Sequence, residues 1–223
     1  MKSPLLLTLI CCALCVNPTA GQTKLALGLV LGGSFNIHTG SSLQKTATGV
    51  GFVGGGQADL SFSKSLALLT TIYGYDNRLG SYSHDLSQDG VDFTADVSTT
   101  IAYAGIEPLL KFSFPDDRFY LVAGPNIEFK ITGRSDVDMT INTPGYSFPV
   151  GYPVQSTSYD VTDVNTRFEL TFGGGYVFKI DPTSRLTAQL SFGYGLNQVA
   201  KNSDWRISSI RAVAVLEFDI LPR

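Results

Sequence analysis

The run Phe119-Tyr120-Leu121-Val122-Ala123-Gly124-Pro125-Asn126-Ile127-Glu128-Phe129-Lys130-Ile131 decides the fold class. Read in steps of two, one set is Phe119, Leu121, Ala123, Pro125, Ile127, Phe129 and Ile131. The other is Tyr120, Val122, Gly124, Asn126, Glu128 and Lys130. Successive side chains of a β-strand point to opposite faces, so this is a strand with one apolar and one polar face. It is longer than the roughly 5–6 residues of a typical soluble strand.

The pattern recurs downstream. Phe168, Leu170, Phe172, Tyr176 and Phe178 oppose Arg167, Glu169, Thr171 and Lys179. Leu186, Leu190, Phe192 and Tyr194 oppose Arg185, Gln189, Ser191 and Asn197, and Ile210, Leu216 and Phe218 oppose Ser209, Arg211 and Glu217. Eight segments of strand character result, at about 24–38, 49–62, 66–77, 98–113, 118–133, 164–180, 185–197 and 205–219. The third is weakly patterned, because Leu66, Leu68 and Leu69 fall on both faces. Tight polar joints follow the even strands, at 63–65, 114–117 and 181–184. Longer joints follow the odd ones, at 39–48, 78–97, 134–163 and 198–204. An up-and-down sheet with different chemistry at its two ends sorts its loops this way, as membrane barrels do.

Two environments could take the apolar face: a protein core or lipid. The polar face is rich in Gly, Ser, Asn and Gln and poor in charge, unlike a face washed by water. Aromatic residues gather near strand ends (Tyr73, Tyr75, Phe112, Phe114, Phe119, Phe178, Tyr194, Trp205, Phe218), as interfacial girdles do. The strands reach the ~9–11 residues needed to cross a bilayer at a tilt. The reading is therefore an all-β, eight-stranded antiparallel up-and-down transmembrane β-barrel rather than a soluble barrel or sandwich. Composition agrees. Only 16 % of residues are charged, against about 25 % usually. A sequence pI of 5.3 speaks against a nucleic-acid partner.

Residues 1–21 read as a cleaved secretory signal. Lys2 precedes the apolar run Pro4 to Val16, and Asn17-Pro18-Thr19-Ala20-Gly21 supplies small residues for cleavage after Ala20 or Gly21. Cys11, Cys12 and Cys15 all lie in this segment, so residues 22–223, the barrel domain, carry no thiol.

The stretch Ile106-Glu107-Pro108-Leu109-Leu110-Lys111-Phe112, with Phe119-Tyr120-Leu121-Val122-Ala123-Gly124-Pro125 beyond the Pro115-Asp116-Asp117 turn, resembles a known family. It looks like the small outer-membrane β-barrel domain of Bacteroidetes and relatives, the PorT-like group, similar to OmpA and OmpX in architecture. The Gly-aromatic strands Phe172-Gly173-Gly174-Gly175-Tyr176 and Phe192-Gly193-Tyr194-Gly195 extend the resemblance. It implies the bacterial outer membrane as location, with its lipid and the barrel-assembly machinery as partners. Such proteins often end on an aromatic residue, whereas here Phe218 is followed by Asp219 to Arg223.

An eight-stranded barrel is just wide enough for side chains to fill it, and charges removed from water must be paired. Asp59, Glu107, Lys111, Glu128, Lys130, Arg167, Glu169, Arg211 and Glu217 all fall on inward positions, so an interior ion-pair network is expected. The same residues in a narrow small-solute channel are the alternative function. A lipid-modifying enzyme is the third; His38 and Ser83-His84-Asp85 would carry it, but neighbours on an extended chain point apart. No cofactor or metal is expected. The joint 134–163, with Tyr146, Phe148, Tyr152 and Tyr159 beside three prolines, is the candidate external contact loop for a surface protein or glycan.

Overall fold

In the computed structural model, which describes residues 24–41, 43, 45–116, 118–148, 154–201 and 203–220, the described chain forms nine antiparallel strands. They are β1 (Lys24–Thr39), β2 (Ala47–Ser61), β3 (Leu66–Gln88), β4 (Val91–Ser113), β5 (Phe119–Ile141), β6 (Val154–Asp160), β7 (Arg167–Lys179), β8 (Ser184–Gly195) and β9 (Arg206–Asp219). The sheet order is β4-β3-β2-β1-β9-β8-β7-β5-β6, and β4 also pairs with β5. That last pairing closes an eight-stranded up-and-down barrel and leaves β6 outside the closed ring. The expected signal segment 1–21 lies outside the described residues.

Alternation places the apolar residues outside. Leu29, Leu31, Val50 and Leu190 are each at least 60 % exposed. The buried set includes Arg78, Glu107, Glu128, Arg167 and Arg211, each within 2 % of full burial. Such an inside-out arrangement is unstable in water and stable in hydrocarbon, which solvates the apolar coat while the closed ladder satisfies the main chain. At the short-turn end, Phe112 stacks edge-on against Phe114, and Tyr176 against Phe119 and Phe178, with ring centroids 4.6–5.8 Å apart. Tyr73 and Trp205 do not belong to a girdle: both are buried inside the barrel.

Two long joints are corrected by the structure. Residues 78–97 are not a loop. They continue β3 and β4 as a hairpin turned at Asp89-Gly90, whose φ values are 53° and 78°. Both lie in the left-handed region that a tight two-residue hairpin turn requires. Likewise the first part of 134–163 extends β5 to Ile141, and β6 returns along it. The leucines of β3 fall on both faces because Leu69 turns into an apolar part of the lumen against Leu109, and farther along the strand a bulge interrupts the alternation. The β3–β4 register skips between Tyr73 and Asp76, so Gly74 and Tyr75 both face outward and the phase resets. A second register break, at Ala102/Tyr103 opposite Lys130 and Thr132, does the same in β5.

β3, β4 and β5 are consequently 23 residues each, about twice what a tilted strand needs to cross a bilayer. Their outer halves, with β6, stand beyond the barrel as an open four-stranded sheet.

Candidate functional site

The lumen is built in layers by inward positions of successive strands. Nearest the short turns, Lys111 on β4 donates to Asp59 on β2 at 2.6 Å. Arg185 at the start of β8 pairs with Glu217 and reaches Asp219 at 3.0 Å and Asp59 at 3.4 Å. Gln57 donates to Glu217 at 2.8 Å, and the Lys111 ammonium lies 4.6 Å from the centre of the Tyr120 ring.

Leu69, Leu109, Tyr120, Val122 and Val177 pack beside this cluster, Leu69 in register with Asp59 and Val122 with Lys111. A second apolar group, Val30, Val53, Tyr73, Val213 and Val215, includes the two inward residues that separate Glu217 from Arg211 along β9. The central cluster follows. Arg211 pairs with Glu107 at 2.8 Å and with Glu169; Arg167 pairs with Glu169 and Glu128; Arg78 pairs with Glu128 at 2.8 Å and Asp76 at 2.6 Å. Tyr73 and Thr171 donate to Glu107, and Asn126 to Glu128, at 2.7–2.8 Å. The chain of contacts thus runs Glu107–Arg211–Glu169–Arg167–Glu128–Arg78–Asp76. A third layer closes the outer mouth: Ile101, Tyr103, Val199, Trp205 and Ile207, with Leu43, Val164 and Ala200 packed on them from the loops. The Trp205 indole N–H donates to His38 Nδ1 at 3.2 Å.

Asp59, Lys111 and Glu217 therefore meet at the inner end, and Glu107, Glu128, Arg167, Glu169 and Arg211 in the middle. Lys130 joins neither cluster. Its ammonium donates to the carbonyls of Val161 (2.7 Å) and Thr162 (3.1 Å), tying the segment after β6 to the barrel. Asp76 and Arg78 escape a reading of the sequence because the bulge at Gly74-Tyr75 breaks the period just before them. Arg185 was legible as inward; its register opposite Glu217 makes it the hub of its cluster. Gly193 carries a packing role: a Cβ there would collide with the Glu169 carboxylate, so the ion chain needs its absence.

The outer sheet is amphipathic. Cross-strand register puts Tyr82, Leu86, Phe93, Val97, Val137 and Met139 on the face continuous with the lumen. The other face holds hydroxyls and carboxylates that bond in cross-strand pairs: Ser83 to Asp96, Thr94 to Asp85 (2.8 Å), and Ser158 to Asp136. Hydrogen bonds from Ser158 and Arg134 hold the Asp136 carboxyl below its usual range. Burial pushes the Tyr82 hydroxyl up, with Tyr159 adding to the effect. His84 lies on the opposite face from Ser83 and Asp85, whose side chains are engaged with Asp96 and Thr94, so no Ser-His-Asp constellation forms there. Of the candidate contact residues, Tyr146 and Tyr159 are exposed. Phe148 packs on Phe93 with centroids 6.4 Å apart, and Tyr152 lies outside the described residues.

A family model described as "Outer membrane protein beta-barrel domain" matches residues 20–201. Among solved structures, the chain is similar to Ail, the attachment invasion locus protein of Yersinia pestis, in complex with the heparin analogue sucrose octasulfate. There the identity is 14 %, 87 % of this chain and 99 % of that chain are covered, and the TM-score is 0.36. Neisserial surface protein A gives 13 % identity, 86 % and 99 % coverage and a TM-score of 0.40. OprG from Pseudomonas aeruginosa gives 9 %, 89 % and 98 %, and 0.40. A search of curated proteins finds no match to the sequence.

Proposed function

Since the chain belongs to the outer membrane protein β-barrel domain family, we propose that it is a non-conducting, non-enzymatic anchor of the bacterial outer membrane that presents its outer sheet to the cell exterior. The observation that carries this is the filled lumen. Two buried ion-pair clusters and the apolar side chains packed among them occupy the lumen, and Trp205 and its neighbours cap the outer mouth. A permeating solute would have to part these buried salt bridges, and leaving a buried charge without its partner is costly. The narrow channel is the reading this arrangement opposes. Short turns lie on the periplasmic side of such barrels, which puts the outer halves of β3, β4 and β5, with β6, outside the cell. The Ile106–Phe112 and Phe119–Pro125 motifs support placing the chain in the PorT-like branch of the family.

The test is reconstitution of the purified barrel in planar lipid bilayers. The baseline should stay flat across the voltage range at which a porin conducts. Reproducible single-channel steps would replace this reading with the small-solute channel. Change in outer-membrane lipid A on expression of the chain, read by mass spectrometry, would replace it with a lipid-modifying enzyme.

A further inference from the structure

We infer that the free edge of β6 is a docking strand for an extended polypeptide segment of a partner protein, one that alternates apolar residues with lysine or arginine. The inference rests on the reading of the outer sheet as the exposed working part, and it names the partner's chemistry.

β6 is the terminal strand of the sheet. Residues Val154–Asp160 pair with β5 on one side in unbroken register, and among the described residues no other main chain bonds to them. Every residue of the strand is exposed. Proteins commonly guard such an edge with lysine, proline or a bulge. β6 reads Val-Gln-Ser-Thr-Ser-Tyr-Asp and has none of these. Its unpaired N–H and C=O groups repeat at strand spacing, and a polypeptide main chain is the ligand that matches that repeat.

An added strand would continue both faces of the sheet. On the lumen-side face it would lie beside Gln155, Thr157 and Tyr159, next to Val137 and Met139 on β5. Apolar partner residues there would cover surface that is now only half-buried. On the other face the neighbours are Ser156, Ser158 and Asp160. Here Asp96, Asp136, Asp138 and Asp160 share the face with one guanidinium among the described residues, that of Arg134, which pairs with Asp136. This excess of negative charge is complemented by a cation at every second position of the partner. The other exposed edge, the outer half of β3, is covered by β2 as far as Ser81 and carries Asp85 and His84 within it.

The experiment uses the full chain in detergent micelles and a fluorescent ten-residue peptide alternating valine and lysine. Three further probes are the same peptide N-methylated at alternate residues, a valine–glutamate peptide, and the Thr157→Lys variant of the protein. The valine–lysine peptide should bind. N-methylation should weaken it roughly tenfold or more, because it removes main-chain donors without changing charge. The glutamate peptide should not bind, and Thr157→Lys should weaken binding similarly while the heat-shifted gel mobility of the folded barrel is kept. Three outcomes would overturn the inference: no binding of the parent peptide, equal binding of its N-methylated form to the wild-type chain, or unchanged binding by a folded Thr157→Lys. Conductance in planar bilayers reads the barrel separately. A silent barrel that ignores the peptide overturns this inference alone, and a conducting barrel that binds it overturns only the anchor reading.

Discussion

Arg211 on β9 spans the lumen to Glu107 on β4, with its Nη2 2.8 Å from Glu107 Oε1 and both side chains fully buried. The two strands lie on opposite sides of the barrel in the sheet order. The pair therefore braces the cylinder across its diameter, and Glu169 shares the same guanidinium.

Arg211→Met leaves Glu107 and Glu169 buried with one cation fewer. Removing one member of a buried pair costs about 3–5 kcal/mol, whereas apolar replacement of the whole pair is often near neutral. Arg211→Met should thus be strongly destabilised in urea unfolding from micelles. The double variant with Glu107→Leu should recover part of the loss. A double variant as unstable as the sum of the singles would show that the two residues act independently.

Trp205 is the one tryptophan of the chain, so its fluorescence reports the outer cap alone. Only 9 % of its surface is exposed. Emission should be blue-shifted and resist acrylamide quenching in the folded barrel. Trp205→Ala should cost about 3–5 kcal/mol, as large buried aromatic truncations do. Emission at the wavelength of free tryptophan would contradict the cap.

Gly90 turns the β3–β4 hairpin at φ 78°, where an added Cβ meets no neighbour. The penalty for a side chain is then one of backbone conformation alone, about 1–2 kcal/mol for an L-residue in the left-handed region. Gly90→Val should speed amide exchange near the tip, around residues 84–95, and leave the barrel strands protected. Uniform loss of protection would mean that the outer sheet and the barrel unfold together.

Asp181 in the β7–β8 turn accepts hydrogen bonds from the Ser184 and Thr183 hydroxyls and from both main-chain N–H groups. The Ser184 hydroxyl, first among these donors, draws the carboxyl down from 3.8 to about 2. A depressed carboxyl stabilises the fold above its unfolded value, and the contribution fades as pH falls through the folded one. The stability gap between wild type and Asp181→Asn should therefore be full above about pH 4 and shrink towards pH 2. A gap independent of pH would place its origin elsewhere.

Much of this molecule is decided by local pattern. Period-two alternation along 119–131, 167–179 and 206–218 determines which side chains face lipid and which face the lumen, because a strand has only two faces. The sorting of short and long joints determines the up-and-down topology. What alternation cannot supply is phase across an irregularity. The bulge at Gly74-Tyr75 hides Asp76 and Arg78, and it disguises the outer halves of β3 and β4 as a loop. Nor can it supply partners. Glu107 and Arg211 are 104 positions apart, and only closure of the cylinder by β4 and β5 brings them within hydrogen-bonding distance. Lys130 faces inward as its parity requires, yet loop carbonyls rather than carboxylates hold it, since the segment after β6 folds back over that point. The sequence by itself determined the solvent that each face meets. The tertiary structure alone decided which charges neutralise each other, and that the long joints are a free-edged sheet rather than loops, because both depend on strands distant in sequence being set side by side.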